Sequence, residues 1–293
     1  ACQTASTANG NSITTQVFPS VTPSVTITSS DADLSICAGT TVVYTASISN
    51  GGSSPQLQWY LNGTAVGNGS STYNNSVLNN GDIVSCTLTA NNVCKTITTA
   101  NSNSLNMLVQ AYVTPSVSIS SSDANNTVCN GSGITYTAVP VNGGNSPSYQ
   151  WILNGNNVVS NAPTFSNAVN AQQVVGLVMT ANNACQTTSS VTAPNLTIQV
   201  LSNVHPSVAI TSSDADNDIC AGTTVTFTAV PTNGGPSPSY QWKLNGANVG
   251  TNNSTYTTSA LPDNANVSVV MTANNECQSS ANANGNNIIT NVI

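Results

Sequence analysis

Eight cysteines, nine acidic residues and one histidine hold most of the reactive potential of this 293-residue chain. Six of the cysteines recur in two settings. Cys37, Cys129 and Cys220 open the segments CAGTTV, CNGSGI and CAGTTV, while Cys94, Cys185 and Cys277 close TANNVC, TANNAC and TANNEC. Paired thiols at fixed places in a repeat point to disulfide chemistry in an oxidising compartment. A bridge within each copy is the simplest count, and closing a loop of about 57 residues would contribute roughly 4 kcal/mol in the chain-entropy model. Geometry raises an objection. At opposite ends of a sandwich the two cysteines would sit about 20 Å apart by the rise of a strand, whereas bonded Cα atoms lie within about 7 Å. Head-to-tail stacking of copies would instead bring Cys37 to Cys185 and Cys129 to Cys277. Both pairings stay open from sequence alone. Metal binding is disfavoured, since no CxxC and no histidine partner accompanies these cysteines. Cys86 stands where the other copies have Leu177 and Val269, and reads as a small buried hydrophobe with a free thiol.

Six of the nine acids fall in one recurring loop before the opening cysteine: Asp31 and Asp33, then Asp123, then Asp214, Asp216 and Asp218. Alternating aspartates can offer calcium hard oxygen ligands, which makes Asp31, Asp33, Asp214, Asp216 and Asp218 the candidate metal residues. The competing expectation is a solvated turn in which Asp and Asn cap their own backbone; the second copy keeps only Asp123, and no glycine-bearing calcium loop is present. No other cofactor is indicated. His205 is the single histidine, and its counterparts are Thr22 and Thr114, so no nucleophile and base recur together. The chain reads as no enzyme. Asn-x-Ser/Thr triplets occur at Asn62, Asn130, Asn195 and Asn266, as chance would place them in an Asn-rich chain, and surface glycans could use them.

The elements that must position these residues form a repeat. Trp59, Trp151 and Trp242 sit in QLQWYLNG, SYQWILNG and SYQWKLNG, and the copies align almost without insertion, so each is one structural unit stacked on the next. Each copy opens with Pro-Ser-Val-x-Ile (Pro23, Pro115, Pro206), the proline at a strand start. The next strand alternates Val42, Tyr44, Ala46, matched by Ile134, Tyr136, Ala138 and by Val225, Phe227, Ala229. Asn-Gly-Gly supplies a turn, and Asn-Gly after the tryptophan strand is a strong hairpin signal. Later strands place Val84, Cys86, Leu88 in line with Val175, Leu177, Met179 and with Val267, Val269, Met271. About seven short strands per copy, no helical period and a tryptophan on the third strand describe an all-β chain of three immunoglobulin-like sandwiches. The tryptophans Trp59, Trp151 and Trp242 are the expected core plugs, each worth roughly 3 to 5 kcal/mol against alanine.

The expected domains are residues 19–110, 111–201 and 202–293. Residues 1–18 match 276–293 without a gap, which places Cys2 at a closing-cysteine position. They read as the last strand of a preceding repeat, hence a window on a longer tandem array, or else as a donor strand for a neighbouring molecule.

Composition narrows the partners. Only 4% of residues are charged, with two lysines, no arginine and a net charge of −7, so a nucleic-acid surface is excluded for want of a cationic stripe. Regularly alternating hydrophobic residues, 39% of the chain, argue against disorder. No apolar run approaches the roughly 20 residues of a membrane span, and no signal segment is visible at Ala1.

CAGTTV, then YQWKLNG, then MTANNEC resembles the tandem immunoglobulin-like or PKD-like repeats of very large surface and secreted proteins of Bacteroidetes, many exported by the type IX pathway. The resemblance covers residues 19–293. The acidic glycine turn of true PKD domains is replaced here by Leu-Asn-Gly, which favours the immunoglobulin-like branch. It implies an extracellular or cell-surface stalk, adhesin or spacer and identifies no ligand. The expected function is therefore a structural or adhesive extracellular array, with other copies or neighbouring repeats as partners. The alternative is a polysaccharide- or surface-binding module using outward groups such as Tyr60, which becomes Ile152 and Lys243 in the other copies.

Overall fold

The computed structural model describes residues 11–293. Every regular element in them is a β-strand. The chain divides into two compact units: one holds the first copy up to Thr114 together with Asn183–Thr188, the other holds Pro115–Asn182 and Ser189–Ile293.

In the first unit, Ser24–Ser29, Val42–Ser49 and Thr72–Asn75 form one antiparallel sheet. Gln56–Leu61 and Ile83–Thr89 centre the facing sheet, flanked by Thr64–Val66, Thr99–Asn101 and Leu105–Asn106. Alternation decides which side chains meet between the sheets: Val25 and Ile27, Tyr44, Trp59, Val84 and Leu88 point inward and are buried. Trp59 is fully enclosed, and its indole N–H donates to the Ser70 carbonyl at 2.9 Å, so the one polar atom of the ring is satisfied. Tyr73 stacks on Tyr44, ring centroids 5.9 Å apart.

The second unit contains the other two copies, each with its own core. Its sheets are Ser116–Ser121, Ser132–Val141 and Thr164–Val169 facing a sheet centred on Ser148–Leu153 and Gln173–Thr180, and then Ser207–Ser212, Val225–Thr232 and Thr255–Thr258 facing one centred on Ser239–Leu244 and Ala265–Thr272. The register is preserved from copy to copy: Trp59 lies opposite Cys86, Trp151 opposite Leu177 and Trp242 opposite Val269. Trp151 and Trp242 are fully buried, their indoles bonded to Ala162 and Asn253 carbonyls at 2.9 Å. The fold is an immunoglobulin-like β-sandwich, repeated.

Each copy has more strands than the alternation pattern suggests. The opening cysteine lies ahead of the Val42, Ile134 and Val225 strands, and it ends a short strand of its own or, at Cys220, directly follows one. Ser35–Cys37 runs parallel to Leu108–Gln110, Thr127–Cys129 to Leu196–Leu201, and Asp218–Ile219, just before Cys220, to Ile288–Val292. Two or three residues are too short to show a period of two, which is why the pattern misses them.

Residues 1–10, including Cys2 and most of the proposed extra strand, lie outside the described residues. Residues 11–18 form no strand, and Ile13, Val17 and Phe18 are exposed.

Candidate functional site

Each copy carries one cysteine at either end, and backbone hydrogen bonds fix which end. At the leading end, where the chain comes in, Val21, Val113 and Val204 donate their N–H to the carbonyls of Cys94, Cys185 and Cys277 at 2.9, 3.0 and 2.9 Å. At the trailing end, where the last strand finishes, Ala38, Asn130 and Ala221 donate to the carbonyls of Gln110, Leu201 and Ile293 at 2.9 Å each. The opening cysteine therefore belongs to the trailing end and the closing cysteine to the leading end.

The disulfides follow from this placement. Cys37 is bonded to Cys185 and Cys129 to Cys277, each with Cα atoms 5.4 Å apart and a sequence separation of 148. Of the two pairings open from the sequence, the structure has the one between successive copies. The bridge within a copy fails for the reason of distance given above: the parallel strand ending at the opening cysteine carries it to the end opposite the closing one. In both joints the residue before the closing cysteine completes the contact, for Cys37 Sγ lies 3.6 Å from the Ala184 carbonyl oxygen and Cys129 Sγ 3.6 Å from that of Glu276. Asn203 adds a hydrogen bond to the Asn130 carbonyl, 3.0 Å. Cys94 and Cys220 are free thiols, and Cys2 lies outside the described residues.

The TANN motif, unexplained by alternation, builds the leading end. Asn91, Asn182 and Asn274 each accept with Oδ1 from the N–H of Ser54, Ser146 and Ser237 at 3.0 to 3.1 Å and donate their own N–H to Gly51, Gly143 and Gly234 at 3.0 Å. This clamps the closing loop onto the Asn-Gly-Gly turn. Gly52, Gly144 and Gly235 have φ of +95°, +88° and +87°, and a Cβ at any of them would stand 2.1 to 2.3 Å from that asparagine oxygen, so both backbone freedom and space require glycine. Asn92 and Asn275 reach across to the carbonyls of Asn50 and Asn233. The repeated Asn-Gly-Gly and Ala-Asn-Asn, far apart in sequence, are the only signal that could have foretold the clamp.

The acidic loops are bonded internally. Ser35 N–H is held by Asp31 and Asp33 carboxylates at 3.0 Å, Thr127 N–H by Asp123 at 3.0 Å and Asn125 at 2.8 Å, and Asp218 N–H by Asp216 at 3.2 Å. The Ser35 N–H holds the Asp33 carboxyl below the usual carboxylate value, and the Asp218 N–H does the same for Asp216. Asp218 accepts from the Asn291 amide, 3.0 Å, while Asp214 Oδ1 and Asn217 Oδ1 are buried without a donor. Among the described residues, no group of three or more His, Cys, Asp or Glu is placed to hold a metal ion. His205 uses Nδ1 on the Ser279 hydroxyl at 2.8 Å, where Thr22 meets Thr96 in the first copy, a pin on the leading strand. Tyr60, Ile152 and Lys243 are half-buried. Burial pushes the Cys86 thiol up to about 11. No helix of the described residues is long and apolar enough to cross a membrane.

Fold and disulfides together define a series of immunoglobulin-like sandwich repeats in which Cys37–Cys185 and Cys129–Cys277 link residues of successive copies. No described protein family matches the chain, and no curated protein matches it. Among solved structures it is similar to a Ca2+-stabilized adhesin that helps an Antarctic bacterium reach out and bind ice, at 15% identity and a TM-score of 0.41 over 94% of this chain and 74% of that one. It is also similar to three N-terminal domains of the highly immunogenic outer capsid protein of bacteriophage RB49, at 12% identity and 0.38 over 92% and 99%, and to the four N-terminal Ig domains of Dscam1 isoform 6.9, at 14% and 0.29 over 92% and 73%.

Proposed function

We propose that the chain is a section of an extracellular structural or adhesive array, a stalk, fibre or filament whose working unit is the row of domains 19–110, 111–201 and 202–293. The observation that carries this reading is the pairing of Cys37 and Cys129, the opening cysteines of the first two copies, with Cys185 and Cys277, the closing cysteines of the copies that follow them. Such bridges add nothing to the core of any one sandwich. They bind its end to its neighbour, which is useful where separation of the ends is the hazard. They also need an oxidising compartment, which supports a place outside the cytosol. The polar surface is built from hydroxyl and amide groups with few charges, so contact with other copies or with a surface brings little charge desolvation. The resemblance to tandem repeats of large Bacteroidetes surface proteins supports the same setting. Electron microscopy of the purified, oxidised chain tests the proposal. Linear assemblies or a regular surface pattern are the expected result; isolated particles at all concentrations would overturn it.

A further inference from the structure

Among the described residues, the repeat cysteines Cys94 and Cys220 are free thiols, and they sit at complementary ends. Cys220 occupies in the third copy the place that Cys37 and Cys129 hold in the first and second. Cys94 occupies in the first copy the place that Cys185 and Cys277 hold in the others. We infer that Cys220 of one molecule bonds Cys94 of a second copy of this chain, reproducing between molecules the joint that Cys129 and Cys277 make within one; the inference rests on the array reading above.

Three observations bear on it. The local frame of each free thiol is that of its bonded counterparts: Ala221 donates to the Ile293 carbonyl as Asn130 does to that of Leu201, and Val21 to the Cys94 carbonyl as Val204 does to that of Cys277. Burial differs in the direction an unfilled joint requires. Cys185 and Cys277 are 4% and 7% exposed, whereas Cys94 is only half-buried, and Cys220 is exposed where Cys37 and Cys129 are half-buried. Finally, Cys94 lies in an apolar hollow of about 380 Å³ with Phe18, Pro19, Val21 and Val93. Val93, at the position of Ala184 and Glu276, is 96% exposed, so the surface beside the thiol is apolar and uncovered. A partner with the trailing end of this same repeat fits both the thiol and that surface. Because the two ends differ, the contact is heterologous, and it propagates from molecule to molecule wherever the rotation between copies does not close a ring.

The bond forms by thiol–disulfide exchange with a small disulfide. The Cys220 thiolate attacks one sulfur of the small disulfide and expels one small thiol. The Cys94 thiolate of the second molecule then attacks the Cys220 sulfur and expels the other. The two protein thiols lose two protons and two electrons, which depart with the two small thiols.

The test uses the whole chain with oxidised glutathione as the small disulfide. A ladder of covalent multimers on non-reducing gels is expected, with peptic mapping at acidic pH yielding a peptide that joins Cys220 to Cys94. Cys94→Ser and Cys220→Ser should each lower multimer yield at least tenfold, and an equimolar mixture of the two should restore dimers and stop there. Absence of the joining peptide from the unaltered chain, a map dominated by Cys220 to Cys220 or by Cys2, or an undiminished ladder in either variant would overturn the inference. The mapping needs no variant, so a folding defect in one does not blur the result. Microscopy separates the two proposals: fibres that persist in both variants remove the joint and keep the array, while a mapped ladder without fibres does the reverse.

Discussion

Stretching the chain from its ends offers the sharpest test of the joints. Suppose the second copy unfolds while its neighbours stay folded. Without bridges its roughly 90 residues would extend by about 300 Å at the 3.3 to 3.6 Å reach of each residue. With them, Cys185 remains tied to the first copy through Cys37, and Cys129 to the third through Cys277. Three segments then run side by side between folded neighbours, and the shortest, from Cys185 to the start of the third copy near Ser202, limits the extension to about 17 residues, or roughly 60 Å. Single-molecule force spectroscopy reads this length directly. Oxidised chain should show one release near 60 Å in place of one near 300 Å, and reductant should restore the long step. Equal steps with and without reductant would refute the reasoning, because they would mean that the bridges do not lie across the line of force.

Other predictions concern the cores. Tyr44 has a buried hydroxyl with no partner, whereas that of Tyr136 receives the Gln173 amide; Tyr44→Phe should therefore stabilise by about 1 kcal/mol and Tyr136→Phe destabilise by about 1 to 2 kcal/mol in urea titrations. Burial raises Tyr44 to about 12 from an ordinary 10, so the unfolded chain ionises first, and stability complete below pH 10 falls by about 2 kcal/mol as pH climbs to 12. On the acid side, Asp33 and Asp216 titrate lower in the folded chain, so their small contribution is present above the ordinary carboxylate range and fades as pH falls through it. Cys86, buried and raised to about 11, should resist iodoacetamide at pH 8 in the native chain while Cys94 and Cys220 react, as counted by intact mass. Gly144→Ala places a Cβ 2.1 Å from Asn182 Oδ1 at φ +88° and should cost about 1 to 3 kcal/mol by thermal melting.

The sandwich was legible because its signal is periodic. Val25 and Ile27, or Val267, Val269 and Met271, alternate long enough for one face to be recognised as the buried one. The joint was only half legible. Cysteine positions show where bonds begin, but the pairing depends on which end of the sandwich each reaches, and that is decided by Ser35–Cys37 and its equivalents, strands too short to carry a pattern. The Asn91 clamp was hidden for another reason. Its partner Gly52 lies about forty residues earlier, and a contact between an amide oxygen and a glycine leaves no mark on hydrophobicity.

The two bridges overlap. One spans Cys37 to Cys185 and the other Cys129 to Cys277, so every peptide bond from Cys37 to Cys277 is bypassed by at least one covalent detour, and those from Cys129 to Cys185 by two. A hydrolytic nick anywhere in that stretch severs the backbone without severing the molecule. Wear on an exposed surface would accumulate as silent cuts, visible only after reduction, and the strand of protein would keep its continuity long after its sequence had been broken.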